Sequence, residues 1–80
     1  MNTEEKLKEI VATKLGLEVG QIRRESRFVE DLGADALDFI ELIMDAEDEF
    51  DICILEGDVE TITTFGKLVE CVETSMQRQH

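Results

Sequence analysis

Eighty residues are enough for one domain and too few for two, since halves of that length could not each bury a core. Twenty Asp and Glu against eight Lys and Arg leave a formal charge of −12, which opposes binding to nucleic acid or anionic lipid and favours a basic macromolecular partner. At 42% hydrophobic content the chain is too apolar for a disordered acidic tail, yet no apolar run approaches the roughly 20 residues that span a bilayer. A soluble, folded monomer is expected. Residues 1–6 show no basic stretch followed by an apolar one, so a cytoplasmic location is expected as well. The whole chain, 1–80, reads as a single domain, ordered over about 3–76.

The first predicted helix covers 3–15. Leu7, Ile10, Val11 and Leu15 recur at helical spacing and form one apolar stripe. Asn2 or Thr3 can cap its start, Glu4 and Glu5 suit the positive end of its dipole, and Lys14 suits the negative end. Gly16 is placed as a left-handed stop. From Gly16 to Ala34 the periodicity dissolves into a long connection, with Val19, Ile22, Phe28, Val29 and Leu32 as the available anchors. A connection this long in so small a domain points to a functional role.

The second predicted helix starts at the N-cap Asp35 and runs to about Phe50. At 100° per residue, Phe39, Leu42, Ile43, Ala46 and Phe50 fall in one sector, assigned to the core. Leu37, Ile40 and Met44 fall in a second sector, roughly opposite, interleaved with Glu41, Glu47, Asp48 and Asp51. A helix in a small domain rarely buries two sides, so this second stripe reads as exposed apolar surface ringed by carboxylates.

The run 51–55 could pass for a strand, but no alternating segment exists to pair with it, so it reads as a buried loop. One short helical turn is expected within 57–62. Thr63 or Thr64 then caps a last helix carrying Phe65, Leu68, Val69, Val72 and Met76 on one face, with a frayed tail from Ser75 to His80. The fold class is therefore all-α, with three main helices, one short helix and a long first loop.

Enzymatic chemistry finds little support. The one histidine, His80, is terminal, and neither a nucleophile motif nor a zinc-binding HExxH spacing occurs. Gly16 and Gly20 form a lone GxxxG outside any long apolar helix. Cys53 and Cys71 are too far apart for a zinc or redox pair, and their apolar neighbours suggest buried hydrophobes. No dedicated metal site is expected: carboxylates abound, but none follow the calcium-loop pattern, and only weak divalent binding that relieves repulsion is expected. Charge is segregated instead. All eight basic residues lie outside 28–66, and thirteen of the twenty acids lie within it. A solvated acidic face is the bland explanation, but the stripe Leu37, Ile40 and Met44 within it favours a docking surface for a basic partner.

The run Phe28-Val29-Glu30-Asp31-Leu32-Gly33-Ala34-Asp35-Ala36-Leu37-Asp38, then Glu41-Leu42, Glu47 to Phe50 and Ile62-Thr63-Thr64, resembles the acyl carrier proteins of bacterial-type fatty acid synthesis. The resemblance covers about residues 3 to 76. It implies a four-helix bundle that carries acyl intermediates as thioesters on a 4′-phosphopantetheine arm and docks through its acidic second helix. The implied partners are basic surfaces of synthase enzymes and the phosphopantetheinyl transferase. The implied recognition residues are Asp35, Leu37, Asp38, Ile40, Glu41, Met44, Glu47 and Asp48. Leu42, Ile43, Ala46, Phe50, Ile54, Ile62, Leu68 and Val72 would line the space that shelters an acyl chain, collapsed in the unmodified protein.

One departure bears on the chemistry. Where the family has the serine that anchors the arm, this sequence has Ala36. A phosphate there would meet the free N–H groups of a helix start, but alanine offers no oxygen to bond it. No 4′-phosphopantetheine is therefore expected on this chain, and neither Ser26 in the loop nor Ser75 in the tail should substitute. The intact surrounding motif favours a deliberate Ser→Ala change; the alternative is a natural non-carrier paralogue that binds or regulates partners. Leu55 and Gly57 also depart from the family, which often has Pro and an acidic residue there.

Overall fold

The computed structural model describes residues 2–78 and shows four helices, α1 (Thr3–Leu15), α2 (Ala36–Phe50), α3 (Glu56–Val59) and α4 (Phe65–Arg78). A single 3-10 turn, Val19–Gln21, interrupts the first connection, and no strand occurs among the described residues. The local signals account for the helix ends. The Asn2 side chain accepts from the Glu5 N–H, and Gly16 closes α1 at φ 69°. Thr64 Oγ1 accepts from the Lys67 N–H at the start of α4. α1 packs on α2 and α4, and α2 packs on α4.

Leu7, Val11, Leu42, Ala46, Phe65, Leu68, Val69 and Val72 meet in the core. Phe39, Phe50 and Met76 lie half-buried against it, and the Phe39 ring meets the Phe28 ring edge to face at 5.5 Å. The first connection is held by backbone bonds to Thr63 and to the first two residues of α4. Phe28 N–H donates to the Thr63 carbonyl, Phe65 N–H to that of Ser26, and Gly66 N–H to that of Arg24 at 2.7 Å. These bonds satisfy the Phe28 amide of the loop and two first-turn amides of α4 that have no partner within their own helix.

Several sequence expectations change. Val19 and Val29 are not anchors: they are exposed, and Ile22, Phe28 and Leu32 do the anchoring. Cys53 is exposed, because burial alternates after the left-handed Asp51, with Ile52 and Ile54 inward and Cys53 and Leu55 outward. The short helix spans Glu56–Val59, earlier and shorter than expected. Ser75 does not belong to a frayed tail: it is buried within α4, which continues to Arg78. Contacts from other elements hold that last turn, with Thr3 Oγ1 4.0 Å from Met76 Sδ and Arg78 pairing with Asp58 at 3.6 Å. His80 lies outside the described residues.

Candidate functional site

The segment leading into α2 is built by short-range bonds. The Arg27 guanidinium grips the Asp31 carboxylate with two bonds of 3.1 Å, and the Arg27 N–H adds a third of 2.8 Å. The guanidinium and the backbone amide together hold the Asp31 carboxyl below the usual range. Gly33 then turns the chain at φ 73°, a conformation open to glycine, and Ala34 is buried with its N–H on the Phe28 carbonyl. The chain thus emerges from the core at Asp35, which is extended and exposed.

Asp35 and Asp38 form a reciprocal capping box. Asp35 Oδ1 accepts from the Asp38 N–H at 2.8 Å, and Asp38 Oδ2 accepts from the Asp35 N–H at 3.3 Å. Ala36 is the first helical residue, and it is exposed. Its methyl therefore stands at the positive end of α2, open to solvent.

The second stripe of α2 faces water, as the spacing predicts: Leu37, Ile40 and Met44 are 65%, 55% and 57% exposed. The acids around it divide into two groups. Asp35 and Asp48 are exposed, and Asp38 is half-buried in the capping box. Glu41 and Glu47 are half-buried and engaged with groups outside α2. Glu41 lies 3.7 Å from the Lys14 ammonium, which also pairs with Asp45 at 3.2 Å, and Lys6 pairs with Glu49 at 3.5 Å. Its bond to Asp45 is the main cause that raises the Lys14 pKa. Glu47 Oε2 accepts from the Ile54 N–H at 2.8 Å.

These pairings between α1 and α2 were not legible from the sequence, because they require the two helices to lie side by side. Lys6, Lys14, Asp45, Asp48 and Glu49 are among the residues that line an open groove of ≈ 780 Å³ between α1 and α2. The proposed acyl-chain residues lie elsewhere. Leu42, Ile43, Ala46, Ile54, Ile62, Leu68 and Val72 are buried in the continuous core, and Phe50 is half-buried at its edge. A second, smaller groove runs beside Asp58, Cys71 and Arg78. Burial there, with the Asp58 charge second, pushes the Cys71 thiol pKa up. Among the described residues no three Asp, Glu, His or Cys gather as a group able to hold a metal ion. No helix among them is long and apolar enough to cross a membrane.

The model of the phosphopantetheine attachment site family matches residues 5–72. This chain belongs to that family. Three solved structures agree with the assignment. A candidate acyl carrier protein from Mycobacterium tuberculosis is 34% identical, with a TM-score of 0.87 over 91% of this chain and 97% of that one. The acyl carrier protein of Thermotoga maritima is 31% identical, with a TM-score of 0.80 over 94% and 87%. That of Enterococcus faecalis is 27% identical, with a TM-score of 0.78 over 91% and 92%. The chain therefore has the acyl carrier protein fold, a family of carriers rather than enzymes, whose group is 4′-phosphopantetheine.

The residues present do not fit covalent attachment of that group at the start of α2. Ala36, the first residue of α2, is exposed, but its methyl carries no oxygen to form a phosphodiester. Ser26, whose Oγ accepts from the Arg23 N–H in the first loop, and Ser75 in α4 are both buried, so neither hydroxyl is open to solvent.

Proposed function

We propose that this chain is an acyl carrier domain of fatty acid or related acyl biosynthesis, held in its unmodified form because Ala36 stands where the attachment serine belongs. The observation that carries this reading is the exposed Ala36 at the first position of a capped acidic helix, continuous with an exposed apolar stripe. On this reading Ala36 derives from a Ser→Ala change in a carrier whose partner surface is intact. Asp35, Asp38 and Asp48 steer a Lys- and Arg-bearing enzyme, and Leu37, Ile40 and Met44 supply desolvated contact. Glu41 and Glu47 add charge while tied to Lys14 and to the Ile54 amide. Synthase enzymes and the phosphopantetheinyl transferase are the proposed partners.

Acyl shelter is a property of the serine form. The residues assigned to it are close-packed here, and a chain entering among them would have to displace side chains that now make contact.

The test is incubation of this chain and its Ala36→Ser variant with coenzyme A and a broad-specificity phosphopantetheinyl transferase, read by intact mass. Addition of the arm to the serine variant alone is expected. Addition to both would overturn the assignment of residue 36. Addition to neither would favour the second reading, a natural paralogue that binds or regulates carrier partners.

A further inference from the structure

The carboxylates of α2 do not flank its exposed stripe evenly. At 100° per residue Asp48, Glu41 and Asp45 follow Leu37 on one side, and Glu47 borders Ile40 on the other. α1 lies along the first side and brings cations to it. The Lys14 ammonium stands 3.7 Å from Glu41 and 3.2 Å from Asp45, and that of Lys6 stands 3.5 Å from Glu49. Asp45 and Asp48 share the groove there with both lysines and with Glu9 of α1. On the other side Glu47 is engaged by a neutral group, the Ile54 N–H at 2.8 Å.

The two lysines differ in their nearness to the stripe. Glu41, which carries Lys14, is next to Leu37 and Met44 by helical spacing, whereas Glu49, the partner of Lys6, lies farther round the helix. Along α1 the lysines are about 12 Å apart. Lys14 does not block Glu41, because a carboxylate has room for several donors; Asp31 holds a guanidinium fork and a backbone amide together. Its effect is one of charge. A cationic side chain that reaches Glu41 comes within the ~8 Å screening length of the Lys14 ammonium at physiological salt and is repelled by it.

We propose that Lys14 is a specificity determinant of the α2 face: a fixed cation on its α1 side that lessens the affinity a partner gains from positive charge on that flank. The face therefore discriminates less between partners with one basic flank and with two than its carboxylates alone would. This rests on the docking role proposed above for α2.

The test uses two synthetic amphipathic helical peptides with the same Leu stripe. One bears Arg on both flanks, the other Arg on one flank and Gln on the other. Binding to the full chain at low salt is followed by fluorescence anisotropy, and the quantity read is the gain in affinity from the second Arg flank. That gain should grow about threefold in Lys14→Gln and in Lys14→Met, which keeps the aliphatic stem, as removal of one nearby unit charge requires. Lys14→Arg keeps the charge and should keep the parent's gain. Lys6→Gln changes the net charge equally but farther from the stripe, and should alter the gain by less than about 1.5-fold. Circular dichroism checks that each variant is folded. An unchanged gain in both neutral Lys14 variants, or an equal rise in Lys14→Arg or Lys6→Gln, overturns the role of Lys14 and spares the docking face. No binding of either peptide to any of these proteins overturns the docking face itself, and the role of Lys14 with it.

Discussion

Helix α2 bears two apolar faces of similar composition and opposite surroundings. Leu42, Ile43 and Ala46 are at most 6% exposed, whereas Leu37, Ile40 and Met44 are at least 55% exposed. Side-chain hydrophobicity does not distinguish them; the number of elements available to cover them does. α1 and α4 both pack on α2, and between them they can shield only part of its circumference. The uncovered side is the one that begins at Ala36 and is rimmed by Asp35 and Asp48. In this fold an apolar residue on the first face stabilises the chain, and one on the second is, on the function proposed above, available to a partner.

The comparison can be tested from its core outward. Phe65→Ala should have the largest effect, about 3–5 kcal/mol of lost stability in denaturant unfolding, because the ring is fully buried at the start of α4. Against a total of about 5–15 kcal/mol for ordinary domains, that leaves the chain near its unfolding limit. Gly66→Ala comes next. A Cβ there would lie 2.9 Å from the Arg24 carbonyl oxygen, so about 1–3 kcal/mol of strain should outweigh the gain of up to about 1 kcal/mol in helix propensity. A higher melting temperature in this variant would show that the first connection yields freely.

Asp35→Ala removes one half of the capping box and should cost about 1 kcal/mol, read from the midpoint of a urea titration. Leu37→Ser and Ile40→Ser should change stability by no more than about 0.5 kcal/mol while weakening binding to a basic partner. A large stability loss in either would mean that the second face is structural.

The smallest effect concerns pH. The Asp31 carboxyl is held below its ordinary value of 3.8 by the Arg27 guanidinium and amide. Because the folded pKa is the lower one, its stabilisation is present above the unfolded value and is lost as pH falls through the folded value. Melting temperatures of the parent and Asp31→Asn should therefore differ slightly at neutral pH and converge in acid.

Much of the fold was legible because its signals are local. Asn2 and Gly16 bound α1, and Asp35 with Asp38 opens α2, through contacts between residues a few positions apart. The exposed stripe was legible too, since helical spacing alone separates Leu37, Ile40 and Met44 from the core residues. The exposure of Val19, Val29 and Cys53 was not, because an apolar residue outside a periodic segment carries no indication of which side its backbone will present. The burial of Ser75 was hidden for a similar reason: it depends on α4 continuing past the point where the apolar pattern weakens, under contacts from Thr3 and Asp58.

The sequence by itself determined the helical segments, their caps, the acidic excess and the lack of a hydroxyl at residue 36. These follow from residue identity and short-range hydrogen bonding. Only the tertiary structure decided that Lys14 would pair with Glu41 and Asp45, that Arg24 would leave room for nothing larger than Gly66, and that Glu47 would hold the Ile54 amide. Each of these contacts depends on where the chain lies after its helices pack, and packing is settled by the shared burial of side chains from all of them at once.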